Sequence, residues 1–124
     1  MSISSSTAAS FAHEWIAAWN KHDIDAILSH YTDNVLFYSP FIPLLKFNDT
    51  GVITSKEDLK KYFEIGLKNF PDLYFDLHEY FVGINTVVLY YTSVNGRKAL
   101  EVFELNEAGK ATKVYCNYAE SKTV

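Results

Sequence analysis

Residues 73–119, LYFDLHEYFVGINTVVLYYTSVNGRKALEVFELNEAGKATKVYCNYA, decide the fold. Four runs in this stretch, Leu73 to Val82, Thr86 to Val94, Ala99 to Leu105 and Thr112 to Ala119, are rich in β-branched and aromatic residues and read as strands. Gly83-Ile84-Asn85, Asn95-Gly96 and Glu107-Ala108-Gly109 connect them. Asn-Gly between apolar runs is the strongest short hairpin signal, because both residues tolerate positive φ. The spacing predicts a four-stranded antiparallel meander. Both parities of its strands are apolar: in the third, Ala99, Phe103 and Leu105 share one face and Leu100 and Val102 the other. A sheet covered by helices on one face only should turn polar residues outward. The expectation is a homodimer through the outer sheet face.

Upstream of the meander the period changes. Phe11, Trp15, Ala18 and Trp19 recur at helical spacing, widened by Ala12 and Ile16, and predict a helix over Ala8 to Asn20. Asp23 is an N-cap candidate for a second helix with Ile24, Ile27, Leu28 and Tyr31 on its buried face. Asp33-Asn34 signals a turn, and Val35 to Ser39 a short strand ended by Pro40. Residues 40–53 are apolar yet hold Pro40 and Pro43, so they cannot form a central strand and should cover a cavity mouth or a partner. Thr54-Ser55-Lys56-Glu57 has the form of a capping box, opening a helix with Leu59, Tyr62, Phe63, Leu67 and Phe70 on one face and Pro71 at its end. Three helices before an antiparallel sheet imply an α+β fold in which the helices cover one face.

A chain of 124 residues fits one domain, here 1–124, and 48% hydrophobic residues rule out intrinsic disorder. The 16% aromatic content exceeds what a core of this size needs and suits a lined cavity or an interface. Net charge is −4 and Arg97 is the single arginine, so there is no basic stripe for nucleic acid and no clamp for phosphate. A small apolar or neutral ligand is expected instead. Cys116, the only cysteine, cannot form an intramolecular disulfide. The first ten residues lack the basic and apolar regions of a signal peptide, and no apolar run reaches membrane-spanning length. No membrane partner and a cytoplasmic location are expected. His13, His22, His30 and His78 show no ligand-like spacing with one another, with acids or with Cys116, and no nucleotide fingerprint occurs, so neither metal nor cofactor is expected.

Trp15-Ile-Ala-Ala-Trp-Asn20, His22-Asp-Ile-Asp-Ala-Ile-Leu28, Tyr31-Thr-Asp-Asn-Val35 and Ser39-Pro40 resemble the opening of SnoaL-like domains. Gly51, Lys56-Glu-Asp-Leu59 and Leu105-Asn-Glu-Ala-Gly-Lys110 fit the same pattern. These domains belong to the nuclear transport factor two-like superfamily, which includes ketosteroid isomerase. The resemblance implies a cone-shaped, strongly curved antiparallel sheet, covered on its concave face by the three N-terminal helices and usually dimerising through its outer surface. Members include isomerases, cyclases, hydrolases, dehydratases and binding domains, so the resemblance selects an architecture and no single reaction.

Glu101 alternates with Ala99 and Phe103, which puts a carboxyl on a face that reads as pocket lining. Desolvation there disfavours the charged form, and a neutral acid can donate a hydrogen bond to a carbonyl or a developing oxyanion. Ketosteroid isomerase is the standard example of that arrangement. The resemblance matches Glu101, through Phe103 and the Ala108-Gly109-Lys110 turn, to that enzyme's hydrogen-bonding aspartate. The alternative is a glutamate paired with a buried Tyr or His, or solvated at a rim. The enzyme's general base, an aspartate before proline, corresponds to Ser39 before Pro40, which cannot take up a proton unaided. Its oxyanion-hole tyrosine corresponds to Trp15, whose indole can donate a hydrogen bond. One of three positions keeps its chemical type, which argues against steroid isomerisation by that route. Arg97 sits at a hairpin tip, so a hydrolase site of two aspartates bridged by arginine is also excluded. His13 and His78 remain candidates for acid–base work or for structure, and Cys116 reads as a small buried hydrophobe.

Two readings follow. In the first, Trp15, Trp19, Phe37, Ser39, Phe103 and Tyr118 line a pocket of several hundred Å³ anchored by Glu101 as the catalytic acid. In the second, the aromatics fill core and interface, and the chain is a non-catalytic dimeric interaction module.

Overall fold

The computed structural model of the chain describes residues 2–120. Met1 and residues 121–124, the ends of the single domain read over 1–124, lie outside the described residues.

Helix α1 (Ser5–Asn20) begins three residues before the apolar periodicity does, because Ser4 caps it by accepting the Thr7 N–H at 3.1 Å. Its buried stripe is Ala8, Phe11, Ala12, Trp15, Ala18 and Trp19. Asp23 caps α2 (Ile24–Leu28) by accepting the Ala26 N–H at 3.1 Å. Tyr31, expected on α2, is instead the first residue of β1 (Tyr31–Tyr38). Asp33 and Asn34, expected as a turn, lie exposed within β1, where its register shifts between Tyr31 and Leu36. The irregularity lets two turn-forming residues sit inside a strand.

The proline-containing segment folds into a short helix, α3 (Phe41–Leu44), and a two-residue edge strand, β2 (Val52–Ile53), paired antiparallel with β1. Between them Asn48 organises a tight turn, its Oδ1 accepting the N–H groups of Thr50 and Gly51. Helix α4 (Lys56–Asn69) is capped by Ser55 rather than Thr54; the Ser55 hydroxyl accepts the Asp58 N–H at 3.1 Å. Serine followed by an acid at the third helical position satisfies the same rule one residue later.

The remaining strands are β3 (Asp76–Val82), β4 (Thr86–Thr92), β5 (Lys98–Leu105) and β6 (Ala111–Tyr118). They complete a curved, open six-stranded sheet of order β2-β1-β6-β5-β4-β3, which confirms the α+β class. The meander is antiparallel throughout, whereas β1 pairs with β6 in parallel. Helices α1 and α4 pack on the concave side and α2 bridges them. The Asn95-Gly96 hairpin forms with both residues at positive φ, 59° and 70°, and draws Val94 out of the strand. Among the described residues, no helix is long and apolar enough to cross a membrane.

Strand β3 starts at Asp76 rather than Leu73 because the end of α1 holds the preceding residues away from the sheet. Asn20 accepts the Phe75 N–H at 2.7 Å and donates to the Phe75 carbonyl at 3.0 Å. A His22 ring nitrogen lies 2.8 Å from the Leu73 carbonyl. Leu73 and Phe75 are thereby turned into the core. Replacing Asn20 by Ala leaves the Phe75 N–H and C=O without their partner, and should cost about 2 kcal/mol in urea unfolding. A loss under about 0.5 kcal/mol would show that water replaces the clamp freely.

Candidate active site

Strand register assembles the site. Leu89, Glu101 and Cys116 are cross-strand neighbours on β4, β5 and β6, and so are Tyr91, Ala99 and Tyr118. Their side chains share the concave face, because alternate residues of a strand point the same way. Glu101 is 3% exposed. Its Oε1 accepts the Tyr91 hydroxyl at 2.6 Å, and the Cys116 thiol lies beside it. Burial raises the Glu101 pKa from 4.5 to about 7, partly offset by hydrogen bonds from Tyr91 and Cys116, which favour the carboxylate. Burial also pushes Tyr91, Tyr118, Tyr62 and Cys116 up, with Glu101's charge adding to each, so these stay protonated near neutrality.

Glu101 reaches a chamber of about 80 Å³ between the sheet, α1 and α4. Among the described residues, ten of the seventeen that line it are aromatic, Glu101 is the one acid, and no Lys, Arg or His takes part. The carboxyl therefore has no cationic partner in the chamber, and the two ion pairs among the described residues, Asp33–Lys56 and Asp58–Lys61, do not involve it. An isolated buried carboxylate is costly, so the acid form is favoured as the pH falls below 7.

Of the residues expected from sequence, Glu101, Trp15, Trp19, Phe37 and Tyr118 converge on this chamber. Ser39 and Phe103 do not line it. Ser39 is buried just ahead of α3, its Oγ accepting the Phe41 N–H at 3.2 Å. Phe103 is fully buried beneath α1, its ring 4.9 Å from Phe11 and 5.2 Å from Trp15. Trp15 offers the chamber its ring but no free donor, since its N–H is given to the Tyr31 hydroxyl at 2.9 Å. The Trp19 N–H lies near the same oxygen without bonding it and is buried unpaired. His13 packs edge-on against Tyr80, and His78 is exposed and 2.6 Å from Thr92 Oγ1; neither belongs to the chamber. Among the described residues no group of three or more His, Cys, Asp or Glu is placed to hold a metal ion.

Two participants escaped the sequence reading. Tyr91 was detectable: the Asn95-Gly96 hairpin sets Leu89 opposite Glu101 and so puts Tyr91 on the same face, one diagonal step away. Cys116 reads as an apolar filler from its parity, and its position opposite Glu101 depends on the β5–β6 turn. The volume also differs from expectation. Trp15, Trp19, Phe63, Phe75 and Tyr91 fill most of the space that several hundred Å³ would need, because their rings pack on one another at 4.7–6.1 Å between centroids. Phe41 of α3 also lines the chamber, stacked on Tyr118 at 4.2 Å.

Comparison with known proteins agrees with this architecture. A SnoaL-like protein of unknown function from Burkholderia thailandensis E264 superimposes with a TM-score of 0.90 at 37% identity, over 96% of this chain and 99% of that one. AclR, a putative hydroxylase from Streptomyces galilaeus, gives 0.73 at 23% identity over 94% and 91%. SalBIII, an epoxide hydrolase/cyclase-like enzyme of pyran ring formation in the polyether salinomycin, gives 0.74 at 16% identity over 93% and 92%. No curated protein matches the chain. The sequence profile of the SnoaL-like domain matches residues 12–114, and with it the chain belongs to the SnoaL-like domain family.

Proposed function

We propose that the chamber binds the apolar part of a small, neutral ligand and that Glu101, protonated, donates a hydrogen bond to an oxygen of it. What carries the reading is a fully buried carboxyl with no cation beside it among the described residues, in an aromatic chamber, one oxygen held by Tyr91. Glu101 is the group there whose protonation changes near pH 7, so it can give a proton and take it back within one turnover. That capacity suits an isomerase, cyclase or dehydratase acting on a neutral apolar substrate. Relatives of the same fold described as a hydroxylase and as an epoxide hydrolase/cyclase-like enzyme make such chemistry reasonable for the architecture. The lone, buried Cys116 fits the cytoplasm.

A cavity of 150 Å³ holds benzene, so about 80 Å³ admits roughly four heavy atoms. Acetone, which has that size, is therefore a suitable probe. Ligands of this size gain at most about 1.5 kcal/mol per atom, and binding should saturate in the millimolar range. The expected result is a saturable shift of the Glu101 carboxyl resonance and of neighbouring amide resonances, with the affinity read from the amides weakened about tenfold by Glu101→Ala. Unsaturable, nonspecific shifts that Glu101→Ala does not alter would count against the reading.

The small volume favours a second reading, the non-catalytic dimeric module. In support of a homodimer, the outer sheet face carries an apolar row across five strands: Phe81, Val88, Val102, Tyr115 and Tyr38 are successive cross-strand neighbours. Phe81 and Tyr115 are 46% and 42% exposed, and Tyr38 and Tyr115 stack at 4.8 Å. Val102→Lys puts a charge at the centre of this row and should give monomers by light scattering at micromolar concentration. A parent chain already monomeric there would remove the dimer.

A further inference from the structure

The chamber shares Phe70, Leu73, Ser93 and Val94 with a second depression of about 400 Å³, between the end of α4 and the β4–β5 turn. The two differ in chemistry. Where the chamber is aromatic, the depression carries Asn69, Asp72, Ser93 and Asn95, and no Lys, Arg or His among the described residues. No hydrogen bond joins any of these four side chains to another described residue. For Ser93 this matters, because the residue is 9% exposed and lies at the neck between the two spaces. Its hydroxyl is not one of the buried atoms left without a partner among the described residues, so it is open to a partner that enters from the depression.

A second feature lies on the chamber side. Gly66 stands inside α4, where glycine is disfavoured, and lines the chamber. A Cβ built there meets nothing within 4 Å. Neither close packing nor a positive φ demands glycine at this position, and its effect is to leave the chamber wall bare.

We propose that chamber and depression are two compartments of one site, taking a ligand with a short apolar tail inside and a neutral, polyhydroxylated head outside, bridged by the Ser93 hydroxyl. The proposal rests on the ligand reading of the chamber given above. Two amides, a hydroxyl and a carboxylate offer the donors and acceptors that hydroxyl groups need, while the lack of a basic residue disfavours an anionic head. The chamber volume limits the tail to about four carbons.

Butyl β-glucoside, 1-butanol and methyl β-glucoside separate the contributions, titrated by tryptophan fluorescence and amide NMR shifts. Butyl glucoside should bind at least tenfold tighter than 1-butanol, and methyl glucoside should not saturate. Ser93→Ala should weaken butyl glucoside about fivefold and leave 1-butanol unchanged. Gly66→Ala should raise Tm through helix propensity while weakening both butyl ligands, a combination that a purely structural glycine would not produce. Equal affinities for butyl glucoside and 1-butanol, or butylammonium outbinding the glucoside, would overturn the hydroxylated head and leave the chamber reading intact. Failure of 1-butanol and butyl glucoside alike would overturn both.

Discussion

Glu101→Gln should make the protein more stable at pH 8 and nearly unchanged at pH 5. The folded-state pKa of Glu101 lies above its unfolded value, from 4.5 to about 7, chiefly because burial penalises the charged form. Such a group contributes stability that is fully present below pH 4.5 and is lost as the pH rises through 7. The shift corresponds to roughly 3 kcal/mol at alkaline pH. Glutamine keeps an oxygen to accept the Tyr91 hydroxyl and has no charge to bury. Tyr91, Cys116, Tyr118 and Tyr62, which face Glu101 from β4, β6 and α4, are all raised by burial and stay neutral across this window. Urea unfolding of both proteins at pH 5 and pH 8 gives the difference directly. A mutant less stable than its parent at pH 8 would mean that the ionised carboxylate is well accommodated.

Trp15→Ala should be the most destabilising single truncation, at about 3–5 kcal/mol. Trp15 is 1% exposed and its ring contacts Trp19, Phe75, Tyr91 and Phe103. Its N–H also satisfies Tyr31, whose hydroxyl is buried beyond the reach of water. Trp15→Phe keeps most of the packing and removes that bond, so it isolates the hydrogen bond at roughly 1–2 kcal/mol. Thermal or denaturant unfolding of the pair should rank Ala well below Phe. Equal costs would place the whole effect in the Tyr31 bond, and a Phe mutant as stable as its parent would place it in packing.

The sheet was legible because its signals are local: Asn95-Gly96 needs only its own φ angles, and the period-two pattern of Ala99, Glu101 and Phe103 survives on the concave face. Glu101 was legible for the same reason, a charge breaking an apolar parity. Misreadings cluster where tertiary contacts override local preference. Asp33-Asn34 has turn chemistry but is carried through β1 by pairing with β6, some eighty residues away. Leu73 has strand composition but is drawn off the sheet by His22 and the Asn20 clamp on Phe75. Ser39 and Phe103 carry the right parity for a pocket wall, yet one bonds the Phe41 N–H ahead of α3 and the other lies beneath α1, distinctions that depend on where the helices sit. The chamber's volume is likewise a sum over rings from six elements, and no window of sequence contains it.

The Glu101 carboxyl carbon, followed by carbon-detected NMR from pH 4 to pH 9 on the intact chain, tests the account at its centre. A midpoint near 7 is predicted for an acid kept from water and without a cation. A midpoint near 4.3, the ordinary glutamate value, would mean a solvated side chain and would contradict the account.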